Sequence, residues 1–160
     1  MGSDPLGQND QNDQDRPQVI IRAAEPGDAG RITALCRQLG CPTPPEQVER
    51  RIERIRRREE HAVYVAQRPG GDVIGWVHVF VRPLLLAEPH AQIGGLVVDR
   101  DHRRRGVGRR LMERAERWAR DSHCRAVSLG SNVIRRGTHA FYRAIGYRHT
   151  KTQRAFRKPL

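Results

Sequence analysis

The chain has 160 residues, with 30 basic against 18 acidic side chains and a formal net charge of +12. This length favours one domain, and no apolar run approaches the ~18 residues of a membrane-spanning helix, so no membrane association is expected. The three cysteines are an odd number without metal-ligand spacing, which favours free thiols in the cytoplasm and no metal site. The positive charge is compatible with a negatively charged partner such as nucleic acid. An arginine-biased composition explains it more simply, and the scarcity of aromatic residues disfavours a base-stacking platform.

The beginning of the chain differs in composition from the rest. Residues 1–17 are rich in Gln, Asn and Asp and contain almost nothing apolar, a composition typical of disordered segments. We therefore predict a disordered tail over residues 1–17 and a single domain over residues 18–160.

Three elements are predicted in the first third of the chain. The apolar run at 19–22 predicts a strand. A helix is expected from Asp28, as its N-cap, to Leu39, and Gly40 should end it. Thr43, followed by two prolines and a glutamate, predicts a second helix with Thr43 as N-cap of a capping box.

Beyond this point the chain alternates predicted strands and helices. Two strands flank a turn at 69–72 and predict a hairpin, and a proline-containing loop at 83–89 precedes the next strand. The predicted strands lie at 62–67, 73–81, 91–98, 125–129 and 151–158, and the predicted helices at 107–121 and 137–145. This order favours one mostly antiparallel sheet with a single crossover through the first of these helices.

The most informative stretch joins the strand that ends at Val98 to the helix that starts at Val107. It reads Asp-Arg-Asp-His-Arg-Arg-Arg-Gly, and a second glycine, Gly108, follows two positions later as part of the predicted helix. A helix N-terminus directs backbone N–H groups and a positive dipole end at an anion. Glycine lets the backbone approach a ligand closely, and arginine suits phosphate oxygens. The pattern therefore predicts a pyrophosphate-binding turn.

Two better-known phosphate loops do not fit this stretch. A P-loop needs Lys-Ser or Lys-Thr after its last glycine, and a dinucleotide-binding loop needs a third glycine where Leu111 stands. The segment instead resembles the acetyl-coenzyme A loop of the GCN5-related N-acetyltransferase superfamily. The signature of that loop, Gln/Arg-x-x-Gly-x-Gly/Ala, matches Arg103, Gly106 and Gly108.

A second block carries the same resemblance. In that family an Asn after a strand precedes a helix with the pattern Phe-Tyr-x-x-x-Gly-Phe/Tyr. The matching residues are Asn132, Phe141, Tyr142, Gly146 and Tyr147. The two blocks occur in the family's order, and the resemblance covers roughly residues 19–158.

The resemblance implies an α+β fold and an activity. The fold is a central, mostly antiparallel mixed sheet of six to seven strands, splayed near the fourth strand and flanked by about four helices. The activity is transfer of an acetyl group from acetyl-coenzyme A to a primary amine by direct attack, without a covalent enzyme intermediate. The cofactor is expected along the fourth strand, on the loop and on the second block. The expected cofactor-binding residues are Leu96, Val97, Val98, Arg103, Arg104, Arg105, Gly106, Val107, Gly108, Arg109, Asn132 and Tyr142.

Chemical roles follow from the same resemblance. The backbone N–H near Leu96 would stabilise the developing oxyanion, and Tyr142 would give a proton to the leaving thiolate. Several relatives that acetylate lysine carry Glu eleven residues before the loop signature, where this chain has Gln92, which cannot take a proton. Glu88 and His90 are then the candidate bases, with Glu88 acting through water preferred over no base at all.

The acceptor cannot be read from the sequence. Small-molecule amines, aminoglycosides among them, and protein amino groups all remain candidate acceptors. A homodimer remains a candidate assembly. Two hypotheses from other functional classes also remain. One is a basic nucleic-acid-binding module, and the other is a catalytically silent acyl-coenzyme A sensor, which Gln92 would allow. The remaining histidines, among them His61 and His78, suggest no ligand cluster.

Overall fold

The computed structural model describes residues 18–160, so the tail expected over residues 1–17 lies outside the described residues. One compact unit ends at Leu129 and a second comprises Gly130–Leu160; the single domain expected over 18–160 stays a prediction. The strands are β1 (Ile20–Ala23), β2 (His61–Gln67), β3 (Val73–Leu84), β4 (Ala87–Val98) and β5 (Val127–Leu129). The helices are α1 (Ala29–Gln38), α2 (Pro45–Arg56), α3 (Val107–Asp121) and α4 (Arg136–Ala144). Within this part of the chain, no helix is long and apolar enough to cross a membrane.

The strands of the first unit form one sheet in the order β1-β2-β3-β4-β5. Neighbouring strands are antiparallel except β4 and β5, which run parallel. A parallel pair needs a long crossover, and α3 supplies it. The predicted fold class is confirmed: a mostly antiparallel mixed sheet with one helical crossover, accompanied by four α-helices within residues 18–160.

The strand count differs from the expectation. Residues 18–160 form a sheet of five strands, where six to seven were expected. The strand predicted at 151–158 is wrong, since this segment has no regular structure and all its side chains are exposed. Its largest apolar residue, Phe156, is 91% exposed. One large apolar side chain among charged neighbours does not give a strand a face to bury.

The start of α2 also differs from the prediction, and the cause is the conformation of a residue before proline. The helix begins at Pro45 with Pro44 as N-cap, so the capping box predicted from Thr43 is not formed. A residue that precedes proline is driven out of the helical region, and Pro44 accordingly has ψ 143°. The second proline therefore sets the first helical residue.

The loop predicted at 83–89 is instead the outer end of a hairpin. β3 runs to Leu84 and β4 starts at Ala87. β2 pairs with β3 no further than Phe80, so the prolines of this segment lie in an outer ribbon. There a missing N–H costs little, because proline is tolerated at sheet edges.

Helices cover both faces of the sheet. Val65 on β2 is buried in one apolar cluster with Leu35 of α1 and Val48 of α2. Tyr64, the preceding residue, therefore points to the opposite face, where Arg114 of α3 lies 4.1 Å above its ring. α1 and α2 thus cover one face and α3 covers the other.

Candidate active site

One edge of β4 lacks a neighbouring strand. β5 pairs only with Ala91–Ile93, so among the described strands none pairs with this edge over residues 94–98. The N–H of Asp99 donates to the carbonyl of Ile74 on β3 at 2.8 Å. Because backbone groups alternate along a strand, the N–H of Leu96 then points to the open edge. An extended ligand laid along this edge would find backbone partners there.

A β-bulge marks where the edge opens. His78 on β3 pairs with Gly95 and Val79 pairs with Ile93, which leaves Gly94 as the extra residue of β4. A bulge bends its strand and increases the local twist, which accounts for a splay at the fourth strand. A Cβ atom on Gly94 would lie 2.7 Å from His78 Nδ1, so this close approach needs glycine.

Asp99 fixes the chain where β4 gives way to the loop. It is 5% exposed, and its carboxylate accepts hydrogen bonds from Arg31 Nη2 and from the N–H of Asp101. Burial alone would raise the pKa of Asp99, but these hydrogen bonds and the charge of Arg31 hold the pKa below its ordinary value. Arg31 Nε also donates to the carbonyl of Val73 at 2.8 Å. The ion pair therefore joins α1, β3 and the beginning of the loop.

We expect Asp99→Asn to lower the free energy of unfolding by about 1–3 kcal/mol, because the amide cannot pair with the Arg31 guanidinium. The folded-state pKa of Asp99 lies below its unfolded value, which is near 3.9. This stabilisation is therefore fully present above the unfolded pKa and is lost as the pH falls through the folded pKa. Urea unfolding near pH 7 and near pH 3 measures both effects. Asp101→Asn, whose side chain is exposed, is the control, and a gap of equal size at both pH values would contradict the account.

The loop after Asp99 is rich in exposed positive charge. Arg103 Nε donates to the carbonyl of Val98 at 3.1 Å, so this side chain closes the loop onto the end of β4. Arg104, with φ 64°, and Gly106, with φ 79°, are left-handed, a conformation that costs glycine nothing. The side chains of the three consecutive arginines, Arg105 being the third, are exposed. They surround the start of α3 with positive charge.

α3 directs its first turn at this loop. Gly106 is its N-cap, and the first helical hydrogen bond runs from the N–H of Arg110 to the carbonyl of Gly106 at 3.1 Å. The preceding N–H groups therefore point out of the helix end. Val107 is 1% exposed and anchors the turn in the core, while Gly108 is half-buried as the second helical residue. A turn of this kind fits the diphosphate of coenzyme A.

In the second unit, Asn132 shapes the turn that leads into α4. Its side-chain oxygen accepts a hydrogen bond from the N–H of Ile134 at 3.1 Å. Its carbonyl accepts from the N–H of Arg135 at 3.0 Å and lies 3.0 Å from His139 Nε2. Asn132 thus has a structural role within its own unit.

The Phe-Tyr-x-x-x-Gly-Tyr block is explained by how α4 ends. The N–H of Tyr147 donates to the carbonyl of Tyr142 at 2.9 Å, and that of Gly146 donates to Arg143 at 3.1 Å, which is the Schellman pattern. Gly146 has φ 97°, and the two tyrosine rings meet edge to face with centroids 5.8 Å apart. Burial raises the pKa of the Tyr142 hydroxyl, with Arg135 opposing the shift. The hydroxyl therefore keeps its proton at neutral pH.

The candidate bases Glu88 and His90 lie on β4, as does Gln92, and the three differ in burial and in distance from Leu96. Gln92 is half-buried, and its Oε1 accepts a hydrogen bond from Ser128 Oγ at 3.0 Å. Glu88 is exposed on the outer part of the hairpin. Glu88 precedes Leu96 by eight residues, or ~26 Å of extended strand. His90 precedes Leu96 by six residues, or ~20 Å. Neither distance is spanned by one bridging water, so the geometry does not favour Glu88 or His90 as the base.

Two histidines that the sequence did not bring together form a pair. His61 Nδ1 lies 3.1 Å from His78 Nε2, and both rings pack against Phe80 with centroids 5.3 and 5.4 Å away. Burial, together with the neighbouring His61, lowers the pKa of His78 to about 4, so His78 is neutral at neutral pH. No group of three or more side chains that could hold a metal ion comes together in residues 18–160.

Comparison with known sequences gives two kinds of match. A family model described as Acetyltransferase (GNAT) family matches residues 32–147. The chain is 30% identical over 145 residues to aminoglycoside N(6')-acetyltransferase type 1 of Stenotrophomonas maltophilia, which covers 88% of this chain and 93% of that protein. The protein of the same name from Klebsiella aerogenes is 30% identical over 102 residues, 62% of this chain and 67% of that protein.

Solved structures show the same fold. AAC(6')-Iy in complex with the bisubstrate analogue CoA-S-monomethyl-acetylneamine has a TM-score of 0.79 at 21% identity, over 89% of this chain and 99% of that chain. Aminoglycoside 6'-N-acetyltransferase AAC(6')-Ih from Acinetobacter baumannii has a TM-score of 0.77 at 19% identity, over 89% and 99%.

The open fourth strand, the basic turn before α3 and these matches define an acetyl-coenzyme A-dependent N-acetyltransferase. The chain belongs to the GNAT family of acetyltransferases. Acetyl-coenzyme A is the co-substrate, and a primary amine receives the acetyl group. The nucleic-acid-binding and silent-sensor alternatives are not favoured.

Proposed function

We propose that the acceptor is a small amino sugar and, specifically, the 6'-amine of an aminoglycoside. The observation that carries this proposal is the 30% identity, over 88% of the chain, to an aminoglycoside N(6')-acetyltransferase. That match extends over 145 residues, well beyond the cofactor loop.

The same proposal gives the predicted cofactor residues their roles. The turn at 103–109 binds the diphosphate through its backbone N–H groups and arginines. The pantetheine arm pairs with the open edge of β4 at 94–98, as an added strand would. The family resemblance adds Asn132 as a further cofactor-binding residue.

Two groups then assist acetyl transfer. The N–H of Leu96, which points to the open edge, donates a hydrogen bond to the thioester oxygen as negative charge develops there. Tyr142, whose hydroxyl is protonated at neutral pH, donates its proton to the departing sulfur. The chain itself forms no covalent bond to the acetyl group in this scheme.

The net charge favours a second acceptor class. Aminoglycosides are polycations, and a protein of charge +12 repels them at long range. An amino sugar that carries a phosphate group would be attracted instead. Added salt screens both effects, so kcat/KM should rise with salt for a polycationic acceptor and fall for a phosphorylated one.

Thiol release from acetyl-coenzyme A, measured with a matched acceptor panel, tests the proposal. Neomycin carries a 6'-amine and paromomycin carries a hydroxyl at that position, so neomycin should be acetylated and paromomycin should not. Glucosamine 6-phosphate and a lysine peptide represent the phosphorylated and protein acceptors. Equal turnover of neomycin and paromomycin, or turnover of the peptide alone, would overturn the aminoglycoside assignment. Sedimentation equilibrium on the same sample tests the homodimer.

A further inference from the structure

A row of side chains crosses the sheet at the position where Gln92 replaces a carboxylate. Strand pairing aligns His61 with Phe80, Phe80 with Gln92, and Gln92 with Ser128. Paired residues of neighbouring strands point to the same face. His78, two residues before Phe80, shares that face. The histidine pair and Gln92 therefore lie on one face of the sheet.

The histidine pair reaches the bulge beside the open edge. His78 pairs with Gly95, the residue directly before Leu96. The near contact between His78 Nδ1 and the Cβ position of Gly94 shows that this nitrogen faces the bulge. His78 Nε2 faces the other way, toward His61 Nδ1 at 3.1 Å. The two nitrogens of His78 thus face β4 and β2 respectively.

The other face of the sheet offers no comparable approach to the bulge. It is covered by α3, where Leu111 Cδ1 lies 3.1 Å from the Cβ position of Gly75 on β3. The histidine face is the one that α1 and α2 cover around Val65 and Trp76. This cover is incomplete near the bulge, where Gly94 is exposed and His78 is only half-buried. An acceptor amine that approaches a thioester held at Leu96 therefore has access from the histidine side.

We propose that His78 and His61 form a proton relay that carries the proton of the acceptor ammonium away from the site through one bridging water. The relay takes the place of a carboxylate at Gln92. It rests on the proposed function, since it needs an amine that attacks at Leu96.

The proton steps balance without any further reagent. The ammonium gives one proton to the bridging water, which gives one to His78 Nδ1. His78 passes its Nε2 proton to His61 Nδ1, so the pair holds the extra proton while the neutral amine forms the C–N bond and the C–S bond breaks. The departing sulfur gains a proton from Tyr142, and the amine nitrogen loses its second proton to solvent. Afterwards His61 releases a proton from Nε2 to solvent, and Tyr142 and the ring tautomers are restored by exchange with solvent.

The charged and titratable groups around the histidine pair come from the elements packed against it. Arg56 at the end of α2 lines a cavity of about 220 Å³ together with His61, so one cationic side chain borders this end of the pair. On the α1 side, Arg31 is engaged by Asp99. β4 contributes Gln92 and, two residues earlier on the same face, His90, which pairs across the strands with Arg82 of β3. With its lowered pKa, His78 stays neutral, and therefore able to accept a proton, throughout the neutral range.

The pH dependence of kcat tests the relay. In the wild type, kcat should be flat between about pH 6 and pH 9, because the histidine pair takes up the proton within the complex and no proton enters or leaves before the C–N bond forms. In His78→Gln, kcat should be about 100-fold lower near pH 7. It should then rise tenfold per pH unit toward the pKa of the amine, which for an alkyl amine is near 10.4. KM for acetyl-coenzyme A should not change. His61→Gln, at the ring farther from the bulge, should show the same pH slope with a smaller loss.

Three further variants and one spectroscopic readout separate a relay from a packing role. Gln92→Glu in the His78→Gln background restores a proton acceptor on the same row and should recover at least about tenfold in kcat. His123→Asn, at the far end of α3, should behave as wild type. Gly94→Ala, which crowds His78 Nδ1, should lower kcat. In the free protein, imidazole NMR titration should show that His61→Gln raises the pKa of His78, because the neighbouring His61 contributes to lowering it.

The outcomes that overturn the relay are distinct from failure of the proposed function. Parallel pH profiles of the wild type and His78→Gln, no recovery by Gln92→Glu, or a His78 titration that is unchanged in His61→Gln would each overturn it. A wild type that acetylates none of the panel amines would instead refute the proposed function, and the NMR titration would still report on the pair.

Discussion

Gly108→Val is expected to weaken coenzyme A binding at least about 100-fold while the protein stays folded. Gly108 is the second residue of α3, in the turn whose N–H groups face the diphosphate. A branched side chain there holds the diphosphate away from the backbone, and hydrogen bonds to a charged group contribute about 1.5–3 kcal/mol each. Loss of two of them corresponds to roughly a 100-fold change in Kd. Isothermal titration of coenzyme A into both proteins measures the effect.

A matched control is present in α1. Gly30 is likewise the second residue of its helix, and nothing lies within 4 Å of the position its Cβ would take. Gly30→Val makes the same change in helix propensity but lies outside the predicted loop, so its coenzyme A affinity should equal that of the wild type. Wild-type affinity in a folded Gly108→Val protein would place the diphosphate elsewhere.

Tyr142→Phe is expected to lower kcat by roughly 10- to 1000-fold with little change in the affinity for coenzyme A. The change removes only the hydroxyl, which burial keeps protonated at neutral pH, and one acid–base group usually contributes 10²–10⁴-fold. The phenylalanine ring can keep the edge-to-face contact with Tyr147, so the end of α4 should be preserved. Steady-state kinetics with neomycin, together with a thermal unfolding scan, separates loss of chemistry from loss of structure.

Tyr64→Phe provides the comparison. Tyr64 is also buried, but its ring packs under Arg114 of α3 on the face away from the histidine pair. Its kcat should stay within about twofold of the wild type, as expected for a hydroxyl without an acid–base role. If Tyr142→Phe shows wild-type turnover, Tyr142 serves only to end α4.

The sequence predicted what depends on local patterns. The loop at 103–109 and the amphipathic face of α3 were found because glycine, charge and helical periodicity lie close together along the chain. The last strand was predicted wrongly because short alternation without a buried face does not make a strand. The start of α2 was misplaced because the effect of Pro45 on Pro44 outweighs the preference of Thr43 for the N-cap.

The features that the sequence did not predict depend on pairing across the sheet. Asp99 and Arg31 are 68 residues apart, and no local pattern joins them. The contact between His61 and His78 could have been predicted from the hairpin around 69–72. A symmetric register of its two strands pairs residue 61 with residue 80 and so places His78 diagonally opposite His61 on the same face. The bulge at Gly94 then decides which part of β4 they face. Such irregularities are set by tertiary packing and are not visible in residue periodicity.

A crystal structure with bound coenzyme A tests the proposed cofactor site. We expect the diphosphate on the backbone N–H groups of the turn at 103–109, the pantetheine arm along the open edge at 94–98, and the sulfur beside the N–H of Leu96. A diphosphate bound away from the start of α3, or a pantetheine arm that does not follow β4, would contradict it.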